Sequence, residues 1–510
     1  MPTKTIPLIG SYTNRSYGVF TNKDQEFINC FPEVVGNSIT QARSAWIVRR
    51  TGFILGGRTG ILSSDLSSYG ACVWSSKADG TMPAIMSWIK SDSTLTKIYR
   101  VQTTTGNMTQ VGGDIASTSN CFFLTETLVS GTSNITGIFS DNSTGAYEYW
   151  YFPEGGAWTQ ITDGDFPPNI GTPEPLTPYI THLDGYTFVM TTNGKIWNSD
   201  VNSIANWTAS SFITAQSQPD NGTAIARYKD YIIGCGSRSI EFFYNAGNPT
   251  GSVLSPVANS TINIGVLPAT NGISQIKEVG DTLYFIGRDL ASGQVGAYRL
   301  EGNSAKKVST QSVDKMFDPY YTGGAVNGIC GVIYTMGKRH VLFSGPTSCT
   351  KQLAYCIDND FWWTFSLSSQ AAPVKGAITG NNADGGQMTT FINNYSDVYR
   401  AYYMNSSSDG GENVPVTVRT SGLDFDTDEH KFVSDIWLDA DTESAGTVTL
   451  EKSDDDYGSW QTLGTFDLTK HEKRITRCGS HTGERAYRLT HSALTSFRAK
   501  SLRIKYTTST

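Results

Sequence analysis

Two acidic strings near the end of the chain come closest to a catalytic or metal-binding pattern. In the first, Asp424, Asp426 and Asp428 alternate along the chain, and carboxylate oxygens are ligands that Ca²⁺ prefers. The string lacks the glycine and the distal glutamate of an EF-hand loop, so whether a Ca²⁺ ion binds there stays open. Alternating charges also suit the solvated edge of a sheet, because they keep an edge strand from pairing with another chain. We expect such a strand edge.

The second string, Ser453-Asp-Asp-Asp-Tyr-Gly-Ser-Trp460, approximates the Asp-box hairpin of sialidase-like propellers. In that hairpin an Asp caps a tight turn and a Trp packs beneath it. Here the glycine falls one position late, and the string occurs once. Asp and Gly favour turns for backbone reasons alone. We therefore predict a structural turn and not a catalytic one.

The other reactive side chains form no recognisable catalytic constellation. The chain has six histidines but no HExxH, GxSxG or P-loop motif. Its eight cysteines include no CxxC pair, and the nearest two, Cys349 and Cys356, have no neighbouring histidine to complete a zinc site. We expect free, mostly buried thiols in a protein assembled in a reducing cytoplasm. We predict no catalytic, cofactor-binding or metal-binding residue, although a carboxylate pair from distant segments stays open.

Composition points to an all-β protein that does not wrap nucleic acid. Charged residues make up 17% of the 510 residues and aromatic residues 12%, which suits half-buried pleated surfaces. The formal net charge of −7 disfavours a surface that grips DNA, because such surfaces cluster Lys and Arg. No run of about 18 apolar residues is present, so we predict no membrane-spanning segment.

A loose repeat of strand pairs indicates how the chain is organised. Apolar and polar residues alternate over about 5–8 positions and break at Gly, Asn, Asp or Ser, which is the pattern of strands and turns. The pairs start about 40–55 residues apart, the length of a four-stranded propeller blade. We predict a β-propeller of six or seven blades over residues 65–405, in preference to a series of β-sandwiches. The clearest pairs begin at Met86, Thr136, Tyr186, Tyr231, Thr282, Val332 and Thr389.

The two ends of the chain do not follow this repeat of strand pairs. Residues 1–64 are predicted to be an N-terminal arm with the first strands, packing on the propeller or on neighbouring subunits. The Ser- and Gly-rich stretch from Asn405 to Glu412 reads as a linker. Residues 416–510 have the length and strand pattern of a C-terminal β-sandwich. The best helical pattern is short and spans Ser312 to Phe317, after a cap at Ser309 or Thr310.

An ordered series of strings resembles the packaged-DNA stabilisation proteins of short-tailed bacteriophages (podoviruses), also called tail hub or nozzle proteins. Asn29-Cys-Phe-Pro-Glu33 and Ile47-Val-Arg-Arg-Thr-Gly-Phe53 are similar to the opening of that family, with Phe31 and Thr51 departing from its usual Tyr and Pro. The central and C-terminal strings follow the family's order. They are Leu183–Val189, Ile196–Asp200, Ala205–Thr208, Ala215–Asp220, Ile240–Gly247, Leu283–Asp289, Ala297–Gly302, Val308–Val313, Asp358–Trp363, Gly422–Phe425 and Glu451–Trp460.

This resemblance implies a structural role in the virion tail and no enzymatic activity. Family members assemble as a hexameric ring below the portal and adaptor rings, where they close the DNA exit channel and retain the packaged genome. The implied partners are further copies of the chain, the adaptor or head-to-tail connector protein, and tail spikes, fibres or a needle. Genomic double-stranded DNA would pass during ejection without sequence-specific binding, and no cofactor is implied.

Two rival functions follow from the same features. A glycan-degrading tail protein would also combine a propeller with many aromatic residues, but it should show repeated Asp-boxes or a basic triad around an acidic nucleophile. A glycan-binding fibre would be an elongated trimer, whereas a blade-length period favours a compact toroid. The sequence leaves open which host is infected, which residues line a channel and which surfaces meet which partner.

Overall fold

The described part of the chain is all-β with one short helix, as the sequence predicts. The computed structural model describes residues 2–9, 25–33, 45–55, 66–74, 83–89, 96–102, 108–115, 121–140, 147–269, 273–317, 328–344, 351–367, 374–381, 387–393, 398–401 and 408–509. No helix in these ranges is long and apolar enough to cross a membrane.

Five short strands open the chain and are divided between two structural units. The first four belong to a β-sandwich, and the fifth belongs to a propeller blade. They are β1 (Thr3–Pro7), β2 (Glu26–Ile28), β3 (Cys30–Glu33), β4 (Trp46–Arg49) and β5 (Ile54–Leu55).

Antiparallel sheets, which we call blades, follow in sequence, and each runs outward from its first strand. Blade 1 contains β6 (Leu66–Val73), β7 (Pro83–Ile89), β8 (Thr96–Gln102) and β9 (Met108–Ile115). Blade 2 contains β10 (Cys121–Val129), β11 (Thr132–Ser140), β12 (Tyr147–Pro153) and β13 (Thr159–Gln160). Blade 3 contains β14 (Leu176–Leu183), β15 (Tyr186–Thr191), β16 (Lys195–Ser199) and β17 (Trp207–Thr214). Blade 4 contains β18 (Gly222–Tyr228), β19 (Tyr231–Gly236), β20 (Ile240–Asn245) and β21 (Leu254–Pro256).

The later blades depart from this simple pattern. In blade 5 the inner position is shared by β22 (Ile264–Val266) and β23 (Ile276–Val279), which both pair with β24 (Thr282–Asp289). That blade ends with β25 (Val295–Glu301) and β26 (Ser304–Lys307), and helix α1 (Gln311–Phe317) follows where the sequence predicts it. Blade 6 contains β27 (Gly328–Thr335), β28 (Lys338–Ser344), β29 (Lys351–Cys356) and β30 (Phe361–Ser366). Blade 7 contains β31 (Val374–Asn381), β32 (Gln387–Asn393) and β33 (Val398–Ala401), and its fourth strand is the N-terminal β5.

Seven inner strands of the described chain close into a circle, so the propeller has seven blades. The circle runs β6, β10, β14, β18, β23, β27 and β31, and β31 packs back against β6. Between blades 6 and 7 the backbones meet, since Gly331 pairs with Ala377. A Cβ atom on Gly331 would lie 1.9 Å from the Ala377 carbonyl oxygen, so no other residue fits there without backbone movement.

The C-terminal strands and the first four strands of the chain build a β-sandwich together. After the hairpin of β34 (Ser408–Asp409) and β35 (Glu412–Asn413), the C-terminal strands are β36 (Val416–Arg419), β37 (Lys431–Ala440), β38 (Thr447–Ser453), β39 (Gln461–Asp467), β40 (Arg474–Thr476), β41 (Ser480–His481), β42 (Ala486–His491) and β43 (Arg498–Thr508). One sheet has the order β3-β4-β43-β37-β40, with β1 paired to β43 and β41 paired to β37. The other has the order β39-β38-β42-β36-β2 and continues through β2 into blade 6.

The seam between sandwich and propeller changes one sequence interpretation. The predicted linker from Asn405 to Glu412 lies outside the described residues up to 407, but from 408 onward it forms the β34–β35 hairpin. Asp409 in this hairpin is buried, so the linker interpretation was wrong there. One hydrophobic core extends from the N-terminal strands through blades 6 and 7 into the sandwich. The division into 1–64, 65–405 and 416–510 as folding units therefore stays a prediction.

Candidate functional site

The string from Ser453 to Trp460 is a structural turn, as predicted. The Asp455 carboxylate accepts hydrogen bonds from the Ser459 backbone N–H at 2.9 Å and from the Ser453 hydroxyl at 2.8 Å. A hydrogen bond from the Ser459 hydroxyl, together with these two, lowers the pKa of Asp455 to about 2. Asp456 and Tyr457 have positive φ angles of 56° and 67°, which a tight turn requires. Asp455 therefore serves as a cap that holds the turn.

The remaining side chains of this turn are also engaged in the fold. Asp454 accepts two hydrogen bonds, at 2.5 and 2.9 Å, from Arg485, whose side chain is fully buried. Trp460 lies under the Arg488 guanidinium, 4.4 Å from ring centroid to Cζ. The charges and the aromatic ring of this turn therefore have partners within the sandwich.

The acidic string at Asp424, Asp426 and Asp428 lies in the loop between β36 and β37, so the prediction of a strand edge was wrong. Asp424 accepts a hydrogen bond from the backbone N–H of Asp426 at 2.9 Å, which closes a local turn. The Asp426 carboxylate pairs with the ammonium of Lys4 on β1 at 2.5 Å. Within the described ranges, no group of three or more His, Cys, Asp or Glu side chains is arranged to hold a metal ion.

The cysteines and the blade aromatics occupy the positions that the sequence predicts. Six cysteines with described side chains are free thiols, and five of them are buried; they are Cys30, Cys72, Cys235, Cys330, Cys356 and Cys478. Trp197, Trp207, Phe242 and Phe285 are each at most 3% exposed. These rings therefore fill the contacts between and within blades and are not platforms for a ligand.

The central channel of the propeller forms a concave feature among the described residues. It has a volume of about 390 Å³ and is lined by residues from all seven inner strands. Its charged lining groups lie on blades 2, 4 and 5: Glu126 on β10, Arg227 on β18, and Lys277 and Glu278 on β23. Blades 6, 7 and 1 contribute neutral residues such as Val332, Ala377 and Cys72. One side of the channel is thus charged and the other neutral.

Desolvation in this channel shifts the pKa values of several groups away from their charged forms. It lowers the pKa of Lys277 and raises that of Glu278. The pKa of His182, beside the channel on β14, is lowered first by burial and then by the Arg227 charge. Glu126 accepts a 2.6 Å hydrogen bond from Ser133, whose hydroxyl accepts one from the Trp74 indole at 2.9 Å. Perturbed groups that converge in a cavity mark a candidate binding site.

A buried ion pair that the sequence did not predict joins the N-terminal segment to both structural units. The Arg50 side chain is fully buried and donates to both carboxylate oxygens of Asp409, at 2.9 and 2.5 Å. It also donates to the Asn29 side-chain oxygen at 2.8 Å and to the Ser366 carbonyl at 2.8 Å. These partners lie on the N-terminal segment, on the last strand of blade 6 and on the 408–413 hairpin. Arg50 and Asp409 are 359 positions apart, so no local sequence pattern could have predicted that they pair.

The residues around this ion pair lie next to the strand that closes the propeller. The Arg50 guanidinium lies over both the Phe53 and the Phe365 rings, at 5.3 and 4.7 Å from their centroids. A Cβ atom on Gly52 would lie 2.1 Å from the Ser408 carbonyl oxygen, so the two segments approach too closely for any larger residue. The next residues, Ile54 and Leu55, form β5 and complete blade 7. One contact region therefore secures both the sandwich and the propeller.

Comparisons with known proteins support this architecture. A family model named Phage_stabilise and described as "Bacteriophage P22 Gp10, beta-propeller" matches residues 92–339. No curated protein sequence matches the chain.

Three of the solved structures to which this chain is similar are each less than 25% identical to it. BBS1N in complex with ARL6DN is 10% identical with a TM-score of 0.39, over 69% of this chain and 97% of that one. The computationally designed Ika8 protein is 9% identical with a TM-score of 0.37, over 69% and 99%. The N-terminal domain of Nup159 is 8% identical with a TM-score of 0.37, over 75% and 96%. At such low TM-scores these three structures carry no conclusion about function.

Proposed function

We propose that this chain is a structural subunit of a phage tail hub or nozzle, because the family model described as "Bacteriophage P22 Gp10, beta-propeller" matches residues 92–339. In this proposal several copies form a ring that closes the DNA exit channel and retains the packaged genome. The family match is the observation that carries the proposal.

The size of the propeller channel supports a ring of several subunits. Its volume of about 390 Å³ is that of a small-molecule pocket. The major groove of B-DNA alone is about 12 Å wide and about 8.5 Å deep, so duplex DNA does not fit through one propeller. If the protein surrounds DNA, the opening has to form between subunits. A hexameric ring of chains with a formal charge of −7 each would present DNA with a strongly negative wall, which favours passage over binding.

The closed propeller suits a subunit whose role is to withstand mechanical force and not to catalyse a reaction. Blade 7 is completed by β5 from the other end of the chain, and the Arg50–Asp409 pair fixes that strand's approach. Outward pressure from packed DNA would then be resisted by core contacts within each subunit and by the interfaces between subunits. We expect obligate-type interfaces of about 2,000 Å² or more per pair, rich in apolar and aromatic residues. The adaptor ring on one side and spikes, fibres or a needle on the other are the proposed neighbours in the virion tail.

The experiment that tests this proposal compares particles made with and without the protein. Phage carrying a nonsense mutation in its gene should package DNA, fail to keep it and yield mostly empty heads, while DNA synthesis and capsid assembly stay normal. Supplying the wild-type chain in trans should restore filled particles. Electron microscopy of restored particles should show a ring on the tail axis.

The same particles separate this proposal from the glycan rivals. If particles without the protein keep their DNA and only lose adsorption or the degradation of a surface glycan, the structural proposal is wrong. A purified chain that cleaves host glycan as a monomer would also contradict it.

A further inference from the structure

A buried histidine of the sandwich forms no hydrogen bond with the described part of the protein. His481 lies on the two-residue strand β41, where it pairs with Lys431 of β37. It is 4% exposed, and both of its ring nitrogens are buried without a partner. A neutral imidazole tolerates such an environment better than an imidazolium, which has two N–H donors and a charge to solvate. The closed sandwich therefore favours the neutral form of His481.

The charges around this ring also oppose its protonation. Cations from several elements act on it, and they are Lys431 on β37, Lys452 on β38 and Arg485 before β42. Asp454 acts in the opposite sense, but its carboxylate accepts hydrogen bonds from Arg485 at 2.5 and 2.9 Å and from Lys452 at 2.8 Å. Burial, followed by the Arg485 charge, lowers the pKa of His481 to about 4.

The His481 ring packs against the loop between β36 and β37. Its centroid is 5.8 Å from that of Phe425, whose ring lies 4.9 Å from the Tyr506 ring on β43. Phe425 is 4% exposed although its φ angle is +57°, a conformation that a bulky residue keeps only where its surroundings hold it. The nearby charges of Lys4 and Asp426 pair with each other. Aromatic packing on His481 therefore helps to hold this loop closed.

We propose that His481 is an acid-sensitive switch, whose protonation opens residues 477–483 and the loop between β36 and β37 while the rest of the sandwich stays folded. Opening would bring the imidazolium into water and away from Arg485, and it would expose Phe425. β41 is attached to β37 through two residue pairs, whereas β43 pairs along the length of β37, so this edge can open first. The proposal concerns one chain and does not rest on the phage-tail role.

The sign of the pH dependence follows from the two states of the ring. The open form would bind a proton with the ordinary histidine pKa of 6.5, whereas the closed form binds it only near a pKa of about 4. The ratio of open to closed chains should therefore rise about tenfold for each pH unit below about 6.5, until the closed form also becomes protonated. Above that pH the ratio should be constant.

Buried thiols of the chain itself can report where it opens. Cys478 lies in the segment proposed to open and is 1% exposed. Cys30 in the sandwich and Cys235 in blade 4 are fully buried and serve as internal controls. The full-length protein is labelled with dithiodipyridine, which reacts with thiols at acidic pH, and each site is quantified by mass spectrometry. Each rate is divided by that of the unfolded chain at the same pH.

Between about pH 6.5 and about pH 4.5, the relative labelling rate of Cys478 should rise about tenfold per pH unit. Cys30 and Cys235 should stay protected. Equal acceleration at Cys30 and Cys478 would mean that the whole sandwich unfolds, and no acceleration at Cys478 would mean that the segment stays closed. Either result overturns the proposal, and neither depends on a variant that has to fold.

A pair of matched variants assigns the effect to one ring. His481→Gln cannot gain a proton and should remove the pH dependence of Cys478 labelling. His491 on the adjacent strand β42 is 1% exposed, but its two ring nitrogens lie 3.0 and 3.2 Å from the carbonyl oxygens of Thr447 and Thr495. His491→Gln should therefore keep the wild-type pH dependence. If His481→Gln retains the full pH dependence, His481 is not the switch.

Discussion

The first four blades and the seam between sandwich and propeller are stabilised in different ways. In blades 1 to 4 each strand pairs with its neighbour in sequence, and short turns such as the one at Asp184 and Gly185 set the register. At the seam, β2 joins β36 to β30, and Arg50 bonds Asp409 across 359 positions. Blades formed from local hairpins can form early in folding and independently of one another. The seam can form only when both ends of the chain have come together.

Because of this difference, we expect removal of the N-terminal strands to have the largest effect on the stability of the sandwich. A fragment of residues 408–510 lacks β1 to β4, which supply β1, β3 and β4 to one sheet and β2 to the other. We expect it to be unfolded or aggregated, with no cooperative transition by circular dichroism, because the core around Phe27 and Phe31 is lost. Adding a peptide of residues 1–55 should restore a folded complex. A fragment that folds alone with native stability would show that the sandwich is independent of the seam.

The next largest effect concerns the buried ion pair. Asp409→Ala leaves the Arg50 charge buried without its partner and should lower the free energy of unfolding by about 3–5 kcal/mol, measured by urea denaturation. Limited proteolysis should then cut both the 408–413 hairpin and the segment after Arg50. The double variant Arg50→Met/Asp409→Leu should recover much of the lost stability, since it removes both charges together.

A comparison variant in the propeller sharpens this test. Trp197→Ala removes a ring that is 2% exposed in blade 3 and should cost a similar amount, about 3–5 kcal/mol. Its proteolytic cuts should fall in blades 2 to 4 and not at the seam. If Asp409→Ala and Trp197→Ala give the same cleavage pattern, the two regions unfold as one unit and the contrast between them does not hold.

The smallest expected effect is a pH dependence confined to the sandwich. His481 is buried there, and burial followed by the Arg485 charge lowers its pKa from 6.5 to about 4. The unfolded chain therefore binds a proton more readily than the folded one, so stability should fall as the pH decreases from about 6.5 towards about 4. The loss should be at most about 3 kcal/mol.

Replacement of this histidine isolates its contribution. His481→Gln cannot gain a proton in this range and should flatten the stability profile between pH 6.5 and 4, measured by urea denaturation at each pH. His471→Gln, at an exposed position, should leave the slope unchanged. An unchanged slope in His481→Gln would show that His481 does not cause the pH dependence between pH 6.5 and 4.

Local patterns predicted the blades well because their information is local. Tyr186–Met190 and Lys195–Asn198 are strands of blade 3 as expected, since alternation of apolar and polar residues depends on neighbours two positions apart. The Asp-box-like turn was predicted for the same reason. The linker was misread, because the Ser and Gly residues around Asp409 carry no sign that its carboxylate is buried against Arg50.

The sequence alone determined the all-β class, the blade-length repeat, the free thiols and the resemblance to a phage-stabilisation family. These follow from spacing, composition and ordered strings, which depend on the chain and not on its path in space. Only the tertiary structure decided that there are seven blades, that β5 completes the last one, and that a channel is lined by all seven inner strands. Each of these depends on closure of the circle, which brings together residues that are hundreds of positions apart. A local sequence pattern cannot predict which distant residues become neighbours, because desolvation and pairing energies arise only once the blades have packed.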